Sequence, residues 1–129
     1  MSDSIPEDLY YTESHEYLAI EDTTGTVGIT AYAAHELNEI IYLELPEEGD
    51  EVRAGEPFGT VEAVKAVFDL NSPVTGEVIA VNTAATDNPQ IVIDDPYGDG
   101  WLIKVKMENV GELDELLTSD DYERHCAEH

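Results

Sequence analysis

The chain has 129 residues, 42% of them hydrophobic, enough for one ordinary core and too few for two. Thirty Asp and Glu stand against five Lys and Arg, a formal net charge of -25 at pH 7. That charge repels phosphate backbones and anionic bilayers, which excludes nucleic acids and membrane surfaces as primary partners. No stretch approaches the ~20 apolar residues of a membrane helix, and residues 1–8 lack a basic and then apolar leader. The lone Cys126 has no partner for an internal disulfide, so the expectation is an unexported, cytoplasmic protein. The acids are scattered through every segment, which reads as a solvated carboxylate coat and not as a cation site. A coat this poor in lysine points to adaptation to high salt, where screening removes self-repulsion.

Strand-like runs fill the middle of the chain and helical patterns appear at two places, so the expected class is mainly β with short helices. Tyr17–Glu21 and Thr26–Thr30 predict a first hairpin around an Asp22–Gly25 turn. Thr30 is placed to cap a short helix over Ala31–Leu37, with Ala33, Leu37 and Ile41 at helical spacing. Ile41, Leu43 and Leu45 then alternate as one strand face before Pro46–Asp50 breaks the run, and Val52 leads to a turn at Ala54–Pro57. Phe58–Val64 and Ala66–Leu70 read as strands on either side of a bend at Lys65. After the Asn71–Gly76 turn, Val78–Val81 and Ile91–Ile93 read as further strands on β-branched composition. In Trp101–Met107 the odd positions are apolar, which puts Trp101 and Val105 in the core. Leu113, Leu116 and Leu117 share one helical stripe, and Thr118 with Asp121 then forms a capping-box pattern for Tyr122–Cys126, so C-terminal helices are expected in a tail over 112–129, after a core spanning about 9–117. Residues 1–129 are expected to form one domain.

Candidates for chemistry are few. No serine sits in a nucleophile elbow, and Cys126 lies in a polar tail. His125, Cys126 and His129 read as surface tail and not as a zinc site, because a closed site needs four fixed ligands. Asp94, Asp95 and Asp99 lack the spacing of a calcium loop and read as a Pro-Gly turn. No metal site and no catalytic residue is expected. Lys65 differs: taken alone it is an exposed hairpin lysine, but a chain that has shed nearly every lysine and keeps one at a bend invites covalent attachment there.

Ser14-His15-Glu16-Tyr17, Val27-Gly28-Ile29-Thr30, Leu45-Pro46, Val61-Glu62-Ala63-Val64-Lys65-Ala66, Ser72-Pro73-Val74-Thr75-Gly76-Glu77-Val78 and Pro96-Tyr97-Gly98-Asp99-Gly100-Trp101 occur in that order along nearly the whole chain. This set resembles the H proteins of the glycine cleavage system. The chain departs from that pattern at Ala63, where Ser is usual, at Tyr17, where Trp is usual, and at the bulkier Val67-Phe68. The resemblance implies a barrel-sandwich hybrid of two small sheets, of the lipoyl- and biotinyl-carrier type, with lipoate in amide linkage on Lys65. It implies a carrier that is not itself an enzyme and that shuttles an aminomethyl group from a pyridoxal-phosphate glycine decarboxylase to a tetrahydrofolate-dependent aminomethyltransferase. A flavin dihydrolipoamide dehydrogenase then reoxidises the arm. By the same resemblance Ser14, Glu16 and Asp69 line the cleft that shelters the cargo, and Glu62 faces the lipoylating enzyme. A monomer is expected. The nearest alternative is a lipoyl relay that delivers lipoyl groups to other acceptors; a biotinyl carrier would show Met where Val64 and Ala66 stand.

Overall fold

The computed structural model describes residues 8–37, 39–64, 67–108 and 110–127. Among the described residues, nine strands form two antiparallel sheets. One contains β1 (Tyr10–Tyr11), β2 (Glu16–Glu21), β3 (Thr24–Ile29), β5 (Glu51–Val52), β8 (Gly76–Val81) and β9 (Ile103–Met107), in the order β1-β2-β3-β9-β8-β5. The other is β4 (Ile40–Glu44), β6 (Pro57–Ala63) and β7 (Val67–Asn71), in the order β4-β6-β7. Helices α1 (Ala31–Leu37), α2 (Thr83–Asp87), α3 (Gln90–Asp94) and α4 (Ser119–Ala127) and a 3-10 helix over Val110–Glu115 complete the described elements. This is the mainly β, barrel-sandwich hybrid that the resemblance implied.

Local signals account for much of it. Alternation along β2 and β3 turns Leu18, Val27 and Ile29 inward, and the same core cluster takes Val78, Ile103 and Val105 from the larger sheet and Leu43, Val61 and Leu70 from the smaller. Each such aliphatic side chain contributes roughly 1.5–3 kcal/mol on burial. Thr30 Oγ1 accepts the Ala33 N–H at 3.2 Å, the cap expected for α1. Gly76 shows why one position admits no side chain: a Cβ there would overlap the backbone oxygen of Lys106 on the neighbouring strand, an atom that the sheet ladder holds in place. Gly76→Ala should therefore cost about 2–4 kcal/mol, read as a lower midpoint in urea with an unchanged slope.

Several expectations are corrected. The first turn is only Asp22–Thr23, because Thr24 already pairs with Glu21 and Asp22 makes the reversal at φ 56°. Ile41 belongs neither to the helix nor to an inward strand face. The register shifts between Ile40 and Tyr42, and this bulge leaves Ile41 exposed while Ile40 and Leu43 are buried. Ile91–Ile93 lies in a short helix and not in a strand: Pro89 at φ -58° starts the turn, Asp95 N–H reaches Ile91 O at 2.9 Å, and Val92 packs in the core. α2 had no counterpart in the pattern.

Trp101 is only half-buried, with the Lys104 ammonium 5.2 Å from its ring centroid, and Leu102 takes the buried place. The Asn82 amide donates to Asp99 O at 2.8 Å and Trp101 O at 2.6 Å, which ties this segment down before the strand begins. The tail holds two helical pieces, as the stripe and the cap implied. A bridge between Tyr11 and Leu117 separates the 3-10 helix from α4, and Thr118 Oγ1 accepts the Asp121 N–H at 3.3 Å while the Asp121 carboxylate turns to Arg124. His125 and Cys126 are half-buried and not a loose surface tail, because Tyr122 beside them is wholly buried and stacked on Tyr11 with ring centroids 4.6 Å apart. His129 lies outside the described residues.

Candidate functional site

The β6–β7 hairpin presents the first half of the site. β6 ends at Ala63 and β7 begins at Val67, one residue later than expected, with Glu62 paired opposite Val67. Lys65 and Ala66, on the connection, lie outside the described residues. The flanking Val64 and Val67 are 63% and 60% exposed. Tyr42, Glu62 and Val67 align across the three strands on one face, and Leu43, Val61 and Phe68 on the other. Glu62 thus stands on the outward face, between two exposed apolar side chains.

The second half is a cleft of about 530 Å³. The turn at Ser14–Glu16 forms one side, α1 another through Tyr32, Ala33, Glu36 and Leu37, and β7 a third through Phe68 to Asn71. Val61 and Ile29 add apolar wall. Of the five residues singled out, Ser14, Glu16 and Asp69 line this cleft and Glu62 does not. Asp69 is exposed at its edge, paired with Thr60.

Glu16 dominates the chemistry. Among the described residues it is the one buried carboxylate, 1% exposed. Its Oε1 accepts the hydroxyls of Thr12 and Ser14, each at 2.5 Å, and its Oε2 accepts the Asn71 N–H at 3.1 Å. Burial raises its pKa above the ordinary 4.5, against the pull of the donors Ser14, Thr12 and Asn71. These three bonds leave about one of the roughly four acceptor sites of a carboxylate open. An ammonium entering the cleft would find that lone pair in a low-dielectric setting, where a charge-assisted hydrogen bond is strong.

The turn that carries Ser14 and Glu16 is itself constrained. His15 has φ 73°, uncommon for a non-glycine residue, and its N–H reaches Thr12 O at 3.2 Å while its carbonyl accepts the Thr30 N–H at 3.0 Å. No motif in the sequence marks Thr12, Tyr32 or Asn71 as site residues, and His15 enters there only as part of the Ser14–Tyr17 motif. Thr12-x-Ser14-x-Glu16 carries a period-2 signal that could have drawn attention to Thr12, but Asn71 is 55 residues from Glu16 and no local pattern links them.

A family profile described as Glycine cleavage H-protein matches residues 9–129. The chain belongs to that family. It is 52% identical over 117 residues to the glycine cleavage system H protein of Synechococcus sp. (strain JA-3-3Ab), covering 91% of each chain. It is 48% identical over 122 residues to the probable glycine cleavage system H protein of Haloarcula marismortui, covering 95% of this chain and 96% of that one. The crystal structure of a glycine cleavage system H protein from Mycobacterium marinum superposes with a TM-score of 0.89 at 42% identity, over 95% of this chain and 99% of that one. The protein is thus a lipoyl carrier of the glycine cleavage system, and a carrier has no active site of its own.

Two family departures have structural counterparts. Tyr17, in the usual Trp position, donates its hydroxyl to Pro96 O at 2.7 Å and lies against Tyr97, whose own hydroxyl accepts the Ala31 N–H at 3.0 Å. This chain of contacts ties the Pro96–Trp101 motif to the start of α1. Ala63, in the usual Ser position, is buried opposite Ile40, where a hydroxyl would need a partner.

Proposed function

We propose that the chain carries lipoate in amide linkage on Lys65 and that the Ser14–Glu16–Asp69 cleft shelters the cargo at the end of that arm. Bound lipoate supplies the chemistry, its dithiolane taking up the aminomethyl group derived from glycine and yielding it to the next enzyme. The residues of the cleft suit such a group. Ile29, Val61, Phe68 and Leu70 match a hydrocarbon arm, and Glu16 offers its remaining lone pair to an ammonium. Ser14 and Thr12 hold the carboxylate in place, and Asp69 adds negative potential at the rim. Glu62, on the outward face three residues before Lys65, is offered to the lipoylating enzyme.

The observation that carries this reading is Glu16: in a chain coated with exposed acids, the one described carboxylate withdrawn from water faces a cleft bordered by the strand that follows Lys65 in sequence. The partners are a pyridoxal-phosphate glycine decarboxylase, an aminomethyltransferase and dihydrolipoamide dehydrogenase. The carrier works in the cytoplasm as a monomer and as one domain spanning 1–129. Intact-mass and peptide analysis of native protein should show a lipoyl increment on the peptide containing Lys65. An unmodified Lys65 in protein that sustains glycine cleavage would overturn the assignment. A coupled assay with glycine, decarboxylase, transferase and tetrahydrofolate separates this role from a lipoyl relay, which would fail to turn over glycine.

The acidic coat is assigned to high salt. The described carboxylates apart from Glu16, Glu112 and Asp121 are all exposed, so their mutual repulsion is open to screening; the Debye length falls from ~10 Å at 0.1 M to ~3 Å at 1 M. Each ~1 kcal/mol of repulsion removed raises Tm by roughly 4 °C in a chain of this size. Calorimetry from 0.1 to 2 M potassium chloride should show Tm climbing steadily, and a flat series would count against the assignment.

A further inference from the structure

We infer that Tyr122, on the C-terminal α4, is a positioning residue that holds both walls of the cargo cleft at their working separation; this rests on the reading of the cleft given above. The Tyr122 hydroxyl meets His15 Nδ1 at 2.7 Å and Thr30 Oγ1 at 2.6 Å, and the Cys126 thiol of its own helix is hydrogen-bonded to it as well. His15 is the residue between Ser14 and Glu16, and its left-handed backbone aims the two neighbours at the cleft. Such an uncommon conformation persists only where the surroundings over-determine it. Here they do so through the stacked Tyr32 ring at 4.5 Å, the Tyr122 hydroxyl, and His125, whose ring lies 5.4 Å away and whose Nε2 contacts Glu13 O at 2.9 Å.

Thr30 is the cap of α1, the opposite wall, and binds the Ala33 and Ala34 amides through its side chain and carbonyl. One phenol therefore joins the turn carrying the carboxylate to the helix that faces it. The position of that phenol is set from behind by its stacking on Tyr11, by its complete burial, and by the bonding of α4 to Thr118. Tyr122 is not among the residues that line the cleft, so it acts through its neighbours.

Tyr122→Phe keeps the ring stacked on Tyr11 and removes only the bridging oxygen. Hydrogen exchange on the unloaded protein should then quicken about tenfold, the scale of one net hydrogen bond, at the Asn71 amide, which donates to Glu16 of the turn, and at the Ala33 and Ala34 amides of α1. The Val78 amide, which donates to Asp50 O at 2.8 Å away from the cleft, should stay as in the wild type. Thr30→Val should reproduce the pattern and Thr30→Ser should not, which keeps the test open if Tyr122→Phe fails to fold. Exchange that is unchanged at Asn71 and at Ala33 and Ala34, quickened in only one of these two places, or quickened equally at Val78 would overturn the inference.

On lipoylated protein charged with the aminomethyl group, one water adds its oxygen to the methylene carbon and the C–S and C–N bonds both break, giving the free thiol, formaldehyde and ammonium. Tyr122→Phe should release formaldehyde about tenfold faster than the wild type, and an equal rate would overturn the role. Wild-type release as fast as from a charged lipoyl peptide would instead bring down the sheltering cleft itself, while the exchange data still judge the Tyr122 bridge.

Discussion

Lys65→Arg yields a folded protein that gains no lipoyl mass and supports no glycine cleavage. Amide formation needs a primary amine that can give up a proton and attack an activated acyl group, and a guanidinium, which stays protonated and delocalised, cannot. Charge is conserved by the exchange, and Val64 and Val67 on either side are exposed, so stability should change by less than about 0.5 kcal/mol. Loss of function is then complete while Tm is unchanged, a separation that distinguishes covalent loading from a structural role. Intact mass after co-expression with a lipoylating enzyme, together with the coupled glycine assay, reads both. A variant that still gains the increment would place the attachment elsewhere.

Substitution of Glu16 should give the largest effect outside the hairpin. Glu16→Ala strips the acceptor from the Thr12 and Ser14 hydroxyls and from the Asn71 N–H, and opens a void where the side chain was 1% exposed. The expected loss is about 2–4 kcal/mol, the sum of an unsatisfied amide and lost packing. Glu16→Gln keeps the volume and an acceptor oxygen, so it should stay within about 1 kcal/mol of the wild type at neutral pH. It removes the negative charge, however, and with it the hold on an ammonium cargo.

The two variants also carry a pH test. Burial raises the Glu16 pKa above its ordinary 4.5, so across the interval between the unfolded and folded values the native state binds more proton than the unfolded chain. The contribution of Glu16 to stability is therefore fully present below the ordinary value and declines as pH rises through the folded one. Urea melts of wild type and Glu16→Gln between pH 4 and 8 should differ by that decline, with the glutamine protein gaining relative stability as pH rises. Parallel pH profiles would show that Glu16 titrates as an ordinary surface acid.

How far each element could be read in advance follows from how local its cause is. The Thr30 cap, the β2–β3 pairing and the strands flanking Lys65 depend on residues within a few positions of one another, and they stand close to where alternation and turn composition put them. The bulge at Ile41 arises between two strands that are distant in sequence, and the helix at Ile91–Ile93 overrides β-branched composition because Pro89 and the burial of Val92 favour it. The same holds within the site. The resemblance names Ser14, Glu16 and Asp69, yet nothing in composition separates Glu16 from the other acids of the chain.

Composition and motif order suffice for the acidic coat, the mainly β class, the family and the lysine between two strand-like runs, since these reside in residue identity and short-range pattern. The withdrawal of one carboxylate from water, its donors at Thr12 and Asn71, and the Tyr122 bridge between turn and helix belong to tertiary structure alone. Desolvation is set by every atom that surrounds a group, and the atoms around Glu16 come from segments that meet only when both sheets have closed.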